Sequence, residues 1–171
     1  MGSRRDQIRM TRAELLAFLG EQRIVQVATI GPKGRPHLMP LWYVVEEGGV
    51  GAEPDVIADP GQAPALRGWT FAKSQKGRNL ERDPHATISI DDGVEYHELR
   101  GAMMECDVEI ERDPDVVAGY GDALFTRYGP GGELAPEVRE MVRAQAPKRI
   151  GLRFVPTRVV TWDHRKLGGV Y

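Results

Sequence analysis

The stretch "RIVQVATIGPKGRPHLMPLWYVVEE", residues 23–47, decides the fold class. Both of its ends are rich in β-branched and aromatic residues, which suit a pleated, half-buried surface. Between them stands "GPKGRP" (Gly31 to Pro36), whose glycines and prolines punctuate a chain into a turn. Arg23–Ile30 and His37–Glu47 are therefore predicted to be strands joined as a hairpin. Pro40 cannot donate a ladder hydrogen bond, so the second strand is an edge or carries a bulge.

Upstream, "TRAELLAFLG" (Thr11 to Gly20) reads as a short helix. Thr11 and Glu14 form a capping box, and Leu15, Leu16, Phe18 and Leu19 supply the apolar side. The first ten residues read as a loose arm. Downstream, Gly48 to Gly68 is rich in Gly, Pro and Ala without a sustained period. It is expected to be a long loop with a short strand near Val56 and Ile57. "WTFA" (Trp69 to Ala72) reads as a strand, Ser74–Arg82 as a helix ended by Asp83-Pro84, and "HATISID" (His85 to Asp91) as a strand.

"ELRGAMMECDVEIER" (Glu98 to Arg112) has the clearest alternation. Ala102, Met104, Cys106, Val108 and Ile110 are predicted to face the core, and the intervening acids to face water. Asp113-Pro114 then starts a helix with Val117, Tyr120, Leu124 and Tyr128 on one side. A second helix carries Val138, Met141 and Val142 on one face. Lys148–Trp162 reads as the last strand, bent at Pro156, with Ile150, Leu152 and Phe154 inward. Hairpin-linked strands dominate this order, and strand–helix–strand crossovers are too few for a doubly wound sheet. A small antiparallel barrel with helices outside, mainly β with α, is the expected architecture.

The composition sets limits. The chain has 171 residues, suiting a single domain over residues 11–171, and a formal net charge of −2, which argues against a general nucleic-acid binder. Its single cysteine, Cys106, makes neither an intrachain disulfide nor a paired-cysteine zinc site, and no metal centre is expected. The N-terminus has no apolar signal segment and no run is long enough to span a bilayer, so a cytoplasmic protein without membrane contact is expected.

Three stretches are candidates for chemistry. In "TFAKSQKGRNLERDP" (Thr70 to Pro84), Lys73, Lys76 and Arg78 gather at a helix start and no acid appears before Glu81. A helix start carries positive potential and unpaired N–H groups, so it suits a phosphate. The alternative is a solvated lysine-rich loop. The spaced glycines of a P-loop are absent. "WDHRKLG" (Trp162 to Gly168) is either a ligand-facing or subunit-facing tail, or an exposed C-terminus. His37 either meets a ligand or sits at a barrel rim. Met103, Met104 and Cys106 read as core packing. Tyr96-His97 lines a pocket or a surface. No G-x-S-x-G elbow supports a serine triad.

The hairpin "ATIGPKGRPHLMPLWY", the turn-helix "SQKGRNLERDP" and the ending "WDHRKLG", in this order, resemble the flavin/deazaflavin split-barrel family that includes pyridoxamine 5′-phosphate oxidase. Within it they resemble the branch that uses the deazaflavin coenzyme F420. The resemblance implies a six-stranded split β-barrel of the FMN-binding type, working as a homodimer with two cofactor clefts. Thr70, Lys73, Ser74, Gln75 and Lys76 would hold the cofactor phosphate, with Arg78 and Asn79 as weaker carry-overs. The ring would lie near Ala28, Thr29, His37, Met39, Pro40, Leu41 and Trp42. Trp162, Asp163, His164, Arg165 and Lys166 would close the partner's cleft. The implied activity is F420-dependent hydride transfer to a small organic acceptor. The rivals are an FMN-dependent oxidoreductase and a non-catalytic flavin-, haem- or tetrapyrrole-binding protein. Residues 48–68 depart from the family's tight hairpin and are expected to cover the barrel edge or shape the cleft entrance.

Overall fold

The structure is a computed structural model and describes residues 3–46, 61 and 63–168. Helices α1 (Arg4–Gln7) and α2 (Arg12–Glu21) come first, followed by strands β1 (Ile24–Ile30), β2 (Pro36–Trp42), β3 (Val44–Glu46) and β4 (Ala65–Phe71). Helix α3 (Gln75–Arg82), strands β5 (His85–Asp92) and β6 (Arg100–Glu111), helices α4 (Pro114–Tyr128) and α5 (Pro136–Gln145), and strand β7 (Arg149–Asp163) complete the order. The strands pair antiparallel in the order β2-β1-β5-β6-β7-β4-β3. The fold is mainly β with flanking helices, a curled sheet of the split-barrel type, as expected.

The predicted strand His37–Glu47 is divided. Only Tyr43 separates β2, at one edge of the sheet, from β3, at the other. The sheet therefore curls until its edges meet, and the six expected strands become seven. Tyr43 is fully buried. Its N–H donates to the Tyr128 hydroxyl at 3.1 Å, and its carbonyl accepts from Arg127 Nη1 at 2.7 Å. Helix α4 thus supplies the partners that the ladder loses at the switch.

Gly68 explains where the edges meet. A Cβ there would lie 2.8 Å from both Leu41 Cδ2 and the Trp42 carbonyl oxygen, so only glycine lets β2 come this close to β4. The expected loop Gly48 to Gly68 is corrected accordingly, because Ala65–Gly68 is strand. The short strand expected near Val56 and Ile57 lies outside the described residues.

The alternation in β6 and β7 is observed. Ala102, Met104, Cys106 and Val108 are buried with Ile150, Leu152 and Phe154, and Leu15, Phe18 and Leu19 of α2 join them in one core. A second cluster joins Trp69 to Val117, Leu124 and Val142. Met141, expected on that face, is exposed. The acids of β6 face outward as expected, with Asp107 and Glu109 exposed, and two of them also meet cations: Glu105 meets Arg158 at 2.7 Å and Glu109 meets Arg153 at 3.0 Å. The bend at Pro156 is a β-bulge, where the register slips between Glu105 and Cys106. The N-terminal arm is tied down at its end. Met10 is buried, its N–H donates to Thr161 Oγ1 at 2.9 Å, and the Ile8 carbonyl accepts from Asp163 N–H at 2.7 Å.

Candidate functional site

Ser74 shapes the turn between β4 and α3. It is the N-cap of the helix, and its hydroxyl oxygen accepts from Gly77 N–H at 3.0 Å. Gly77 has its own reason, since a Cβ there would press to 2.9 Å on the Ala72 carbonyl oxygen. The first turn of α3 holds no acid. Lys76 sits in that turn and is only 4% exposed. Burial alone pulls its ammonium down to about 8. No hydrogen bond or ion pair to another described residue offsets the burial. A buried ammonium normally has a partner.

Lys76 lines a cleft of about 350 Å³ between this turn and β2. Thr70, Ser74 and Gln75 stand on one wall, and His37, Met39, Pro40 and Leu41 on the other. His37 Nδ1 is buried in the cleft wall without a hydrogen-bond partner. No lining residue is an acid. The expected phosphate turn and the expected ring wall therefore meet in one cleft. Lys73 is exposed and lines an adjoining hollow of about 660 Å³ with Phe71, Ser74 and Lys148.

Other expected site residues lie elsewhere. Asn79 and Thr29 are buried and bonded to each other: Asn79 Nδ2 donates to Thr29 Oγ1 at 3.0 Å, and Asn79 Oδ1 accepts from Gln75 Nε2 at 2.8 Å. They hold α3 against β1 and orient Gln75. Arg78 is exposed and does not line the cleft. Ala28 faces another hollow of about 350 Å³, lined also by His85 and Cys106. Trp42 stacks on Tyr128 with ring centres 4.5 Å apart.

The tail is also apart from the cleft within one chain. Arg149 at the start of β7 lines the cleft, whereas Trp162 and Asp163 end the same strand. Roughly 45 Å of extended chain lies between them at about 3.3 Å per residue. Arg165 pairs with Asp163 at 2.6 Å, Lys166 with Glu14 at 2.6 Å, and His164 Nδ1 lies 3.0 Å from the Tyr96 carbonyl oxygen. The arginine holds the Asp163 carboxyl below its usual range.

Two cleft residues escaped the sequence reading, Trp69 and Arg149. Arg149 pairs with Phe71 across the β4–β7 ladder. The basic pair Lys148-Arg149, opening a strand with no acid beside it, was the available signal.

The family model described as Pyridoxamine 5′-phosphate oxidase matches residues 11–163. The chain belongs to that family. It is a family of flavin-binding, split-barrel, oxidoreductase-like proteins. Among solved structures, a conserved hypothetical protein of Mycobacterium tuberculosis, Rv2991, is 36% identical, with 99% of this chain and 95% of that chain covered and a TM-score of 0.81. A protein described as an F420 reductase is 23% identical over 84% of this chain and 93% of its own, with a TM-score of 0.55. HutZ, the haem storage protein of Vibrio cholerae, is 17% identical over 86% of this chain and 92% of its own, with a TM-score of 0.61. The last two likenesses concern the fold alone. No curated protein matches the sequence.

Proposed function

We propose that the protein is an oxidoreductase that holds a flavin-type cofactor by its phosphate, and that this cofactor is the deazaflavin coenzyme F420, used to pass hydride to a small organic acceptor. Lys76 carries the reading. A buried ammonium without a partner among the described residues, at an acid-free helix start, fits an anion supplied from outside. Thr70, Ser74, Gln75 and Lys76 would hold the phosphate. The Ser74 hydroxyl already accepts as a helix cap and keeps its own proton to donate.

The ring would run along β2. Met39 and Leu41 give it an apolar wall that excludes water, and His37 offers a ring nitrogen that no described residue bonds. When bound, the deazaflavin supplies the hydride chemistry, and the chain's task is positioning. That task agrees with a cleft wall that holds no nucleophile paired with a base. The finer choice of F420 rests on the resemblance of the three motifs and on the adjoining basic hollow, which has room for a long anionic tail.

A homodimer completes the reading. Ile24, Ile30, Leu38 and Trp42 form an exposed apolar stripe across β1 and β2, and such a stripe marks a contact surface. Because the tail and the cleft occupy opposite ends of β7, Trp162, His164, Arg165 and Lys166 would serve the cleft of a second copy.

Titration of the purified protein with F420 and with FMN tests the cofactor, followed by oxidation of reduced F420 with quinone, nitroaromatic and biliverdin acceptors. Tight F420 binding and turnover of at least one acceptor are expected. Tight FMN binding with no response to F420 would overturn the coenzyme choice. F420 binding without turnover across the acceptors would make the protein a carrier.

A further inference from the structure

Arg149 differs from other half-buried arginines in how its guanidinium is used: half-buried Arg127 donates to the backbone carbonyls of Leu19, Gly20, Gln22 and Tyr43. Arg67, Arg100, Arg112, Arg153, Arg158 and Arg165 each meet a carboxylate. Arg149 lies within ion-pair distance of no carboxylate among the described residues, although it is half-buried. It is nevertheless held still. Its guanidinium lies over the Trp69 ring at 4.2 Å and the Phe71 ring at 4.1 Å. Nε and Nη2 both donate to Gln145 Oε1, at 3.0 and 2.6 Å. Two of its five N–H groups are thereby engaged. The other three, on Nη1 and Nη2, form the outward fork that suits a carboxylate or phosphate.

This fork lines the same acid-free cleft as Lys76. The cleft thus holds two cations that no acid among the described residues neutralises. The phosphate read onto the Ser74–Lys76 turn answers Lys76. Arg149 comes from a different strand, and the hollow beside it continues past Ser74 to Lys73 and Lys148. A rigid, unanswered cation is prepared for a ligand, because the ordering of its side chain precedes binding.

We propose that Arg149 makes a second anion contact, separate from the phosphate turn, so that the ligand is a phosphodiester extended by a further negative group, such as a carboxylate, rather than a lone phosphate monoester. The proposal rests on the cofactor reading above and adds a residue that selects between cofactors of that class.

The test compares wild type, Arg149→Gln, Arg149→Lys and Lys76→Ala by fluorescence titration with F420, a phosphodiester carrying carboxylates, and with FMN, a monoester. Circular dichroism melts check folding. The expected result is that Arg149→Gln weakens F420 tenfold or more and FMN less than threefold. Lys76→Ala weakens both. Arg149→Lys keeps the charge without the fork and falls between wild type and Arg149→Gln for F420 alone, so it carries the test if the glutamine variant fails to fold. Equal losses for both ligands, or no loss, would overturn the role of Arg149 and leave the cofactor reading intact. Failure of wild type to bind either ligand would instead overturn the cofactor reading, and this proposal with it.

Discussion

Asn79 Nδ2 donates to Thr29 Oγ1 over 3.0 Å, and both side chains are buried. This bond ties α3 to β1. The same asparagine accepts from Gln75, in the turn that carries Lys76. Replacing one partner leaves a buried polar group unpaired, which costs about 1–3 kcal/mol. Asn79→Ala and Thr29→Val are each expected to lower stability by about that amount in urea unfolding. The double variant should lose less than the sum, because both remove one bond. Strict additivity would show that the bond contributes nothing.

Lys76 gives a pH dependence with a defined sign. Its folded value is about 8 and its ordinary value 10.5. Below pH 8 the ammonium is charged in both states, and its burial destabilises the ligand-free fold by about 3 kcal/mol. Between pH 8 and 10.5 the folded protein holds fewer protons than the unfolded chain, so this group's contribution to stability rises with pH. Lys76→Met should abolish the rise and stabilise the ligand-free protein at pH 7, seen as a higher Tm. The same variant should lose cofactor affinity. In wild type, anion affinity should fall up to about tenfold per pH unit above 8, since binding then requires proton uptake. A Lys76→Met protein with the wild-type pH profile would remove Lys76 from both roles.

Much of this was legible in the sequence, for identifiable reasons. Ala102 to Ile110 alternate so regularly that β6 and its inward face follow from period alone. The turn at Ser74 announced itself through cations at a helix start. The division of the predicted strand at Tyr43 did not, because its cause is distant. Arg127 and Tyr128 replace its ladder partners from α4, and Gly68 makes the close approach possible. Gly68 in turn resembled a loop residue because the stretch before it is rich in Gly, Pro and Ala. The bond that holds Asn79 is not visible in the sequence because its partner, Thr29, lies fifty positions away. Arg149 was missed for a similar reason. Gln145 is close in sequence, but Trp69 and Phe71, which flank its guanidinium, are brought to it only by folding.

Two glycines separate close approach from helix propensity. Gly68→Ala would place a methyl 2.8 Å from a backbone carbonyl that cannot swing away. A loss of about 1–3 kcal/mol is expected, as for other overpacked sites. Gly20 lies in α2 with nothing within 4 Å of a Cβ. Gly20→Ala should leave stability unchanged or raise it by up to about 1 kcal/mol. Thermal melts of the two variants should therefore move apart. If Gly68→Ala melts with wild type, β2 and β4 do not approach as described.

The apolar stripe on β1 and β2 tests the proposed dimer. Leu38 is 59% exposed near its middle, with Ile30 at 44% and Trp42 at 46%. A charge buried in an interface without a partner is strongly unfavourable. Leu38→Glu is therefore expected to shift a dimer to a monomer in light scattering, with little change in the melting of the monomer because this side chain is outside the core. If the tail of one copy completes the cleft of the other, the monomeric variant should also bind F420 at least tenfold more weakly, although Leu38 is no part of the cleft wall. A monomeric wild type would overturn the dimer. A monomeric Leu38→Glu protein with full affinity would keep the dimer and remove the tail from the site.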